Sequence, residues 1–270
     1  MRKIAVVIPI YKTPDEWELM SLRQCCKVLG RYDIYLVAPE GFDTQIYHAI
    51  CSSCGVSIRE ARFSSFYFKN IQGYNRLLLS KEFYERFQKY DYMLVYQLDA
   101  YVFDDKLEEW CSLGYDYVGA PIIGKYEENE YRPSMPTRVG NGGLSLRKVG
   151  KYLAYFSGTK NVFCSRQIVK NIALWKKPYT RIFVWLLMMI GWRNKPQSVA
   201  GHWRYNEDDF WSGYLEGSNY ELTKPSVSEA LDFAFEKYPS EMFKKTQKLP
   251  FGCHAWKKYE YEEFWQQYIK

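Results

Sequence analysis

Three apolar runs, at residues 4–10, 34–38 and 92–98, limit what this chain can fold into more than any other feature. Each is of strand length, and each ends in a turn that carries proline, glycine or an acid. A run without polar alternation suits a strand covered on both faces. The intervening segments read as helices. Thr13-Pro14-Asp15-Glu16 predicts a helix start, with Thr13 as cap, Pro14 in the first turn and Glu16 closing a capping box, and Gly30 predicts its end. Helices are also expected over about 44–54 and 74–87, with a short strand near 56–59. Strand–helix alternation with short connections implies a mainly parallel sheet with helices on both faces. Ligands of such sheets gather at the carboxyl ends of the strands, which points to residues 9–12, 39–40 and 99–101.

The second half is less regular. Residues 121–137 read as a polar loop too long for a mere connector. Gly140-Asn141-Gly142-Gly143 then turns into a strand ending near Arg147. It is not a phosphate-cradling GxGxxG, because a strand follows it instead of a helix. A close approach of backbone to a sugar ring, with Asn141 offering its amide, suits it better. No repeat or linker composition marks a boundary, so residues 1–270 read as a single domain.

Composition narrows the partners. The net charge of +6 is modest, fits an anionic ligand or an anionic membrane surface, and comes without the dense Lys/Arg tract of a nucleic-acid binder. Aromatic residues make up 19%, which fits either a well-packed core or stacking against sugars or bases. The seven cysteines, and Met1-Arg2-Lys3 running straight into a strand, suggest a reduced cytoplasmic setting without a signal peptide. Cys51-x-x-Cys54 is a lone pair that reads as buried thiols, not as a zinc site. Between the basic residues of 176–181 and 193–195 lies an apolar core of residues 182–192, too short to span a bilayer. It is either a buried helix or an interfacial segment with Trp185, Leu186, Leu187, Met188, Met189 and Trp192 in lipid.

Three segments carry residues fit for chemistry. Asp99 stands at the tip of the central apolar strand, where an unpaired carboxylate is costly. It either holds a divalent cation or caps the following turn. Glu207-Asp208-Asp209 follows Asn206 as a helix start; its acids either face the helix dipole or offer a general base, Asp208 first, with Glu207 and Asp209 as helpers or rivals. His254, in Pro250-Phe251-Gly252-Cys253-His254-Ala255-Trp256, either ligates the same cation or hydrogen-bonds a diphosphate. His202 is a weaker candidate, and His48 reads as a plain helix residue.

Together these residues resemble GT-A glycosyltransferases. More narrowly, the chain is similar to the glycosyltransferase-like proteins of bacterial capsule and polysaccharide loci. The shared blocks are YNRLLLS from Tyr74 to Ser80, QLDA and VF between Gln97 and Phe103, GNGGLSLR from Gly140 to Arg147, NED from Asn206 to Asp208 and PFGCHAW from Pro250 to Trp256. The resemblance implies an α/β, Rossmann-like fold, with residues 1–105 as the nucleotide-sugar-binding half. Residues 106–270 become the acceptor half, with a membrane-proximal segment at 176–195. Asp99 takes the first place of the DxD metal motif and His254 that of a late metal-binding histidine, with Mn²⁺ or Mg²⁺ as cofactor; Tyr101 stands where the second acid is expected, and Asp104 or Asp105 substitutes only if the chain turns back. Pro9, Ile10, Tyr11 and Glu40 would border the nucleotide base. Tyr74, Asn75, Arg76, Asp99, Ala100 and Tyr101 would meet the ribose, diphosphate or donor sugar, and Asn141, Gly142, Gly143 and Asp209 the acceptor. The implied activity is inverting hexosyl transfer from a nucleotide sugar, UDP-galactose being one such donor, to a saccharide acceptor, with Asp208 as base. The membrane reading makes that acceptor undecaprenyl-diphosphate-linked and the protein peripheral at the inner face of the cytoplasmic membrane. The alternatives are a retaining transferase and a non-catalytic glycan-binding scaffold.

Overall fold

The computed structural model describes residues 2–123, 136–172 and 178–269, without the side chains of residues 136, 137, 171, 178 and 179. In the first half, β1 (Ile4–Pro9), α1 (Glu16–Leu29), β2 (Asp33–Pro39), α2 (Gln45–Ser53) and β3 (Ile58–Phe63) alternate. Next come α3 (Ile71–Leu78), α4 (Lys81–Arg86), β4 (Tyr92–Tyr96) and β5 (Ala100–Val102). The second half runs α5 (Leu107–Ser112), β6 (Tyr117–Gly119), β7 (Pro121–Ile123), β8 (Pro136–Val139), β9 (Leu144–Lys148) and α6 (Val149–Phe156). It continues with α7 (Ser165–Ile172), α8 (Pro178–Met189), α9 (Pro196–His202) and the short α10 (Glu207–Asp209). The chain closes with α11 (Val227–Phe233), β10 (Ala234–Phe235), α12 (Pro239–Thr246) and β11 (Gly252–His254).

The main sheet has the order β3-β2-β1-β4-β9-β6, parallel from β3 to β4, with β9 antiparallel to both of its neighbours. This is the expected mainly parallel α/β sheet flanked by helices. The continuous apolar run of β1 divides by side-chain alternation: Ala5 and Val7 enter one core, Ile4, Val6 and Ile8 the core on the other face. Because β9 pairs with β4 over Tyr96–Leu144 to Tyr92–Lys148, the second half completes the sheet begun by the first. A second sheet, β10-β11-β5, roofs a third core containing Tyr101, Cys253 and Trp256.

Several local expectations are corrected. Helix α1 is capped by Asp15, whose carboxylate accepts from Trp17 and Glu18 N–H while Glu18 reaches back, so Thr13 and Glu16 are not the box. Ser80 splits the helix expected over 74–87: its hydroxyl accepts from Phe83 N–H at 3.2 Å and starts α4 afresh. Most of the loop expected over 121–137 lies outside the described residues; its two ends pair as β7 and β8. Trp185 and Met188 pack against the core, and the Trp185 indole N–H donates to Ser165 Oγ at 3.0 Å, so neither belongs to an exposed face. Much of the aromatic content is core, as in the ring contacts joining Tyr84, Tyr152, Tyr155, Phe210 and Trp211. All seven cysteines are free thiols; Cys51 is buried, but Cys54, expected to be buried with it, is exposed just past the end of α2.

Candidate active site

The carboxyl ends of β1, β2 and β4 form one rim. Pro9 and Ile10 are buried beneath it, and Ile10 N–H donates to Val37 O at 2.9 Å. What the rim shows to solvent there is Tyr11, 59% exposed, and Glu40. Tyr74 turns inward, its hydroxyl accepting from Gln97 Nε2 at 3.1 Å. Asn75 Oδ1 accepts from Glu207 N–H at 3.2 Å, tying α3 to the acidic segment. Arg76 is exposed over the Phe66 ring and lines a small cleft with Trp203, Arg204 and Tyr205.

Asp99 and His254 come together because β5 and β11 pair antiparallel with His254 opposite Ala100. His254 Nε2 lies 3.1 Å from Asp99 Oδ1 and 3.2 Å from Gln97 Oε1, while Nδ1 lies 3.3 Å from Glu236 Oε1. Burial opposes a charge on this ring, but the hydrogen bonds to Asp99 and Glu236 outweigh it and lift its pKa to about 10. Asp99 is half open to solvent; burial, the largest single influence, pushes its pKa up, but the His254 hydrogen bond and charge, with smaller backbone and Lys258 contributions, together hold it below the usual carboxylate range. Asp104 and Asp105 are elsewhere, paired with Lys106 and Arg31.

A divalent cation fits this pair in place of the proton on Nε2, since histidine ligates through a deprotonated nitrogen. Two ligand atoms on adjacent corners of an octahedron with bonds of ~2.1 Å stand ~3.0 Å apart, close to the Asp99–His254 separation. Glu236 on the far nitrogen is the kind of outer carboxylate that orients a metal-bound histidine. Among the described residues no group of three or more His, Cys, Asp or Glu could hold a metal, so other ligands would have to come from substrate or water. Sequence reasoning missed Glu236, which follows the two-residue β10; the pairing Phe235–Cys253 brings it beside His254.

The acidic triplet separates into distinct roles. Glu207 is 3% exposed and grips the fully buried Arg147 through Oε1–Nη2 at 2.7 Å and Oε2–Nη1 at 3.1 Å. Arg147 also donates to Ser145 Oγ and Tyr84 Oη, both at 3.1 Å. Asp209 pairs with Arg138. Asp208 instead accepts from Gly142 N–H at 3.2 Å and Asp209 N–H at 2.8 Å. Burial, then the neighbouring Glu207 charge, raise its pKa to about 7.

The two clusters meet at adjacent glycines. A Cβ on Gly142 would stand 2.7 Å from Glu207 Oε1 and 3.1 Å from Asp208 Cβ; one on Gly143 would stand 2.0 Å from His254 Nε2. Any side chain at Gly143 therefore collides with the ring that joins Asp99 to Glu236. Asn141 Oδ1 accepts from Gly143 N–H at 2.9 Å and Leu144 N–H at 3.4 Å, so its amide oxygen shapes this turn. His202 Nδ1 lies 2.7 Å from Ser198 O, outside the cluster. A cleft of about 630 Å³ opens where β1 and β4 begin, is lined by Arg2, Tyr92 and Lys148 among others, and contains none of these residues.

This architecture is that of a GT-A-type glycosyltransferase fold. The chain superposes on an active-site mutant of LgtC with a TM-score of 0.50 and 14% identity, covering 93% of this chain and 86% of that one. The galactosyltransferase LgtC with donor and acceptor sugar analogues gives 0.47 and 12%, over the same shares of both chains. The glycosyltransferase GlyE of Streptococcus pneumoniae gives 0.43 and 12%, over 94% of this chain and 54% of that one. No curated protein matches the sequence. Residues 57–254, nearly three quarters of the chain, match the family described as "Protein of unknown function (DUF5672)", and the chain belongs to that family.

Proposed function

We propose that this protein transfers a hexose from a nucleotide sugar to a saccharide hydroxyl in surface-polysaccharide assembly, with inversion at the anomeric carbon. The observation that carries the reading is the glycine pair: consecutive residues, ~3.8 Å apart at Cα, touch Asp208 on one side and His254 on the other. A base and a diphosphate-handling cluster are thereby set within the span of one sugar. Asp208, with its pKa near 7, takes the proton of the acceptor hydroxyl. The oxygen forms its bond to the anomeric carbon as the bond to the diphosphate breaks, and that electron pair leaves with the nucleotide. Asp99 and His254 would hold Mn²⁺ or Mg²⁺, which when bound supplies positive charge to the leaving diphosphate. Glu207 belongs to the support of Asp208, not to the chemistry.

The finer assignments belong to the same proposal. The donor is UDP-linked, with UDP-galactose the first to test. The nucleotide lies along residues 1–105, with Tyr11 and Glu40 at the base. The acceptor is lipid-linked and lies along residues 106–270, and the protein works at the inner membrane surface. The donor and nucleotide assignments are supported by the five sequence blocks and the position of the strand ends, and the lipid-linked acceptor and membrane surface by the apolar segment 182–192 between basic residues.

The test is nucleotide release from UDP-, GDP- and dTDP-sugars with Mn²⁺, Mg²⁺ or EDTA, using wild type, Asp99→Ala and Asp208→Asn. Metal-dependent release of one nucleotide, lost in D99A, is expected. Asp208→Asn should lower transfer by ~10²–10⁴. Because the raised pKa keeps Asp208 protonated below it, the wild-type rate should rise with pH and level off above about 7. A retained anomeric configuration, read by NMR, would remove the base role and leave a retaining transferase. No nucleotide binding by calorimetry would leave a glycan-binding protein instead.

A further inference from the structure

Helix α8 is apolar on two sides, and the core covers one of them. Val184 is 8% exposed, with Trp185 and Met188 packed beside it. Ile182, Phe183, Leu186 and Met189 are 67%, 63%, 51% and 40% exposed, and Ile190 and Trp192 extend the patch at 81% and 43%. At ~100° per residue the exposed positions from 182 to 190 fill a sector of ~120°. A helix apolar all round needs a second apolar environment beyond the core it already touches.

Charge identifies that environment. From residue 158 to residue 206 the chain carries nine Lys or Arg and no Asp or Glu; against +6 for the whole chain, this leaves the remaining residues at −3. A partner that is apolar within and anionic at its surface matches both features, whereas a second copy would set one +9 segment against another. We propose that α8 and residues 190–192 seat the protein on an anionic lipid bilayer, with Ile182, Phe183, Leu186, Met189, Ile190 and Trp192 at the headgroup–acyl boundary. No helix among the described residues is long and apolar enough to cross a membrane; α8, with 12 residues, lies along the surface. A cleft of about 260 Å³ beside the face is lined by Val184, Met188, Trp192, Arg193 and Trp203. Trp203 also lines the cleft of Asn75 and Arg76, and Asn75 binds the Glu207 backbone. The docked face is thus connected through Trp203 and Asn75 to the acidic segment, which gives a lipid-linked acceptor a route toward it. That last step rests on the transferase reading; the docking itself does not.

Flotation with vesicles of phosphatidylglycerol and phosphatidylcholine, against phosphatidylcholine alone, tests it at two salt concentrations. The full chain should float with the anionic vesicles, and at least about tenfold less with neutral ones or at high salt. The triple variant Phe183→Asp, Leu186→Asp, Ile190→Asp should partition at least about tenfold less while its melting temperature stays unchanged. Failure of wild type to float overturns the proposal, as does undiminished flotation of the folded variant. Light scattering that shows a wild-type dimer and a monomeric variant overturns it in favour of self-association. If the triple variant does not fold, the headgroup and salt comparisons on wild type decide alone. Sugar transfer is not read in this assay, so its failure and that of the transferase proposal are separate results.

Discussion

Neutralising Glu207 separates its structural role from a chemical one. Arg147 has no exposed surface, and its charge is met by both oxygens of Glu207. In Glu207→Gln the guanidinium keeps its shape but faces an amide, with only the hydroxyls of Ser145 and Tyr84 for further acceptance. Leaving one member of a buried ion pair without its counter-charge costs ~3–5 kcal/mol. For a domain near this size, 1 kcal/mol moves the melting temperature by ~2–4 °C, so E207Q should melt ~6–20 °C lower in a calorimetric or circular-dichroism scan. The double variant Arg147→Leu, Glu207→Leu should melt above E207Q, because it buries no orphan charge. The same substitution removes a charge that raises the Asp208 pKa and leaves Arg147 to lower it further, so the acid limb of the rate profile should move to lower pH. A melting change below ~2 °C with activity abolished would refute this reasoning and make Glu207 part of the chemistry.

Gly143→Ala sets a methyl group 2.0 Å from His254 Nε2, on a ring held at both nitrogens. It should cost ~1–3 kcal/mol and weaken Mn²⁺ binding by calorimetry at least about tenfold. Gly150→Ala, which meets nothing within 4 Å, should be neutral or slightly stabilising as its control. Glu236→Leu should lower Mn²⁺ affinity ~10–100-fold, measured by calorimetry or by the spin-resonance signal of free Mn²⁺; unchanged affinity would remove Glu236 as the residue that positions His254.

The parallel framework was legible because β1, β2 and β4 are apolar runs long enough to show their pattern, whereas β3, expected near 56–59, is a half-polar strand that runs over Ile58–Phe63. The site was legible in pieces. Asp99 stood out as a charge at the end of an apolar strand, and Asp208 as one acid of three. Sequence could not say which acids of the triplet are paired, because Arg147 lies sixty positions from Glu207 and Arg138 about as far from Asp209. A signal was nevertheless present: an arginine directly after the leucines of β9, a strand beside the central one, must find a carboxylate, and the buried Glu207 is that partner. Glu236 gave no comparable signal, since a two-residue strand has no period to read. The cap of α1 was misplaced by two residues because Thr13 and Asp15 are both good caps, and only geometry shows which one the helix uses. In α8 the apolar content was evident, but its division into a packed and an exposed face depends on what lies against Trp185.

The absence of an acid at position 101 has a structural reason. Side chains alternate along β5, so Ala100 and Val102 enter the core behind the main sheet while Tyr101 enters the cluster with Cys253 and Trp256. An acid at position 101 would point into that apolar cluster, away from Asp99, and its charge would be buried without a partner. The antiparallel register offers another source. His254, opposite Ala100, arrives on the Asp99 side and brings Glu236 behind it through the next strand. On the proposed cation site, the second ligand would be reached across the sheet instead of along the strand, and Gly143 is the residue whose missing side chain leaves room for His254.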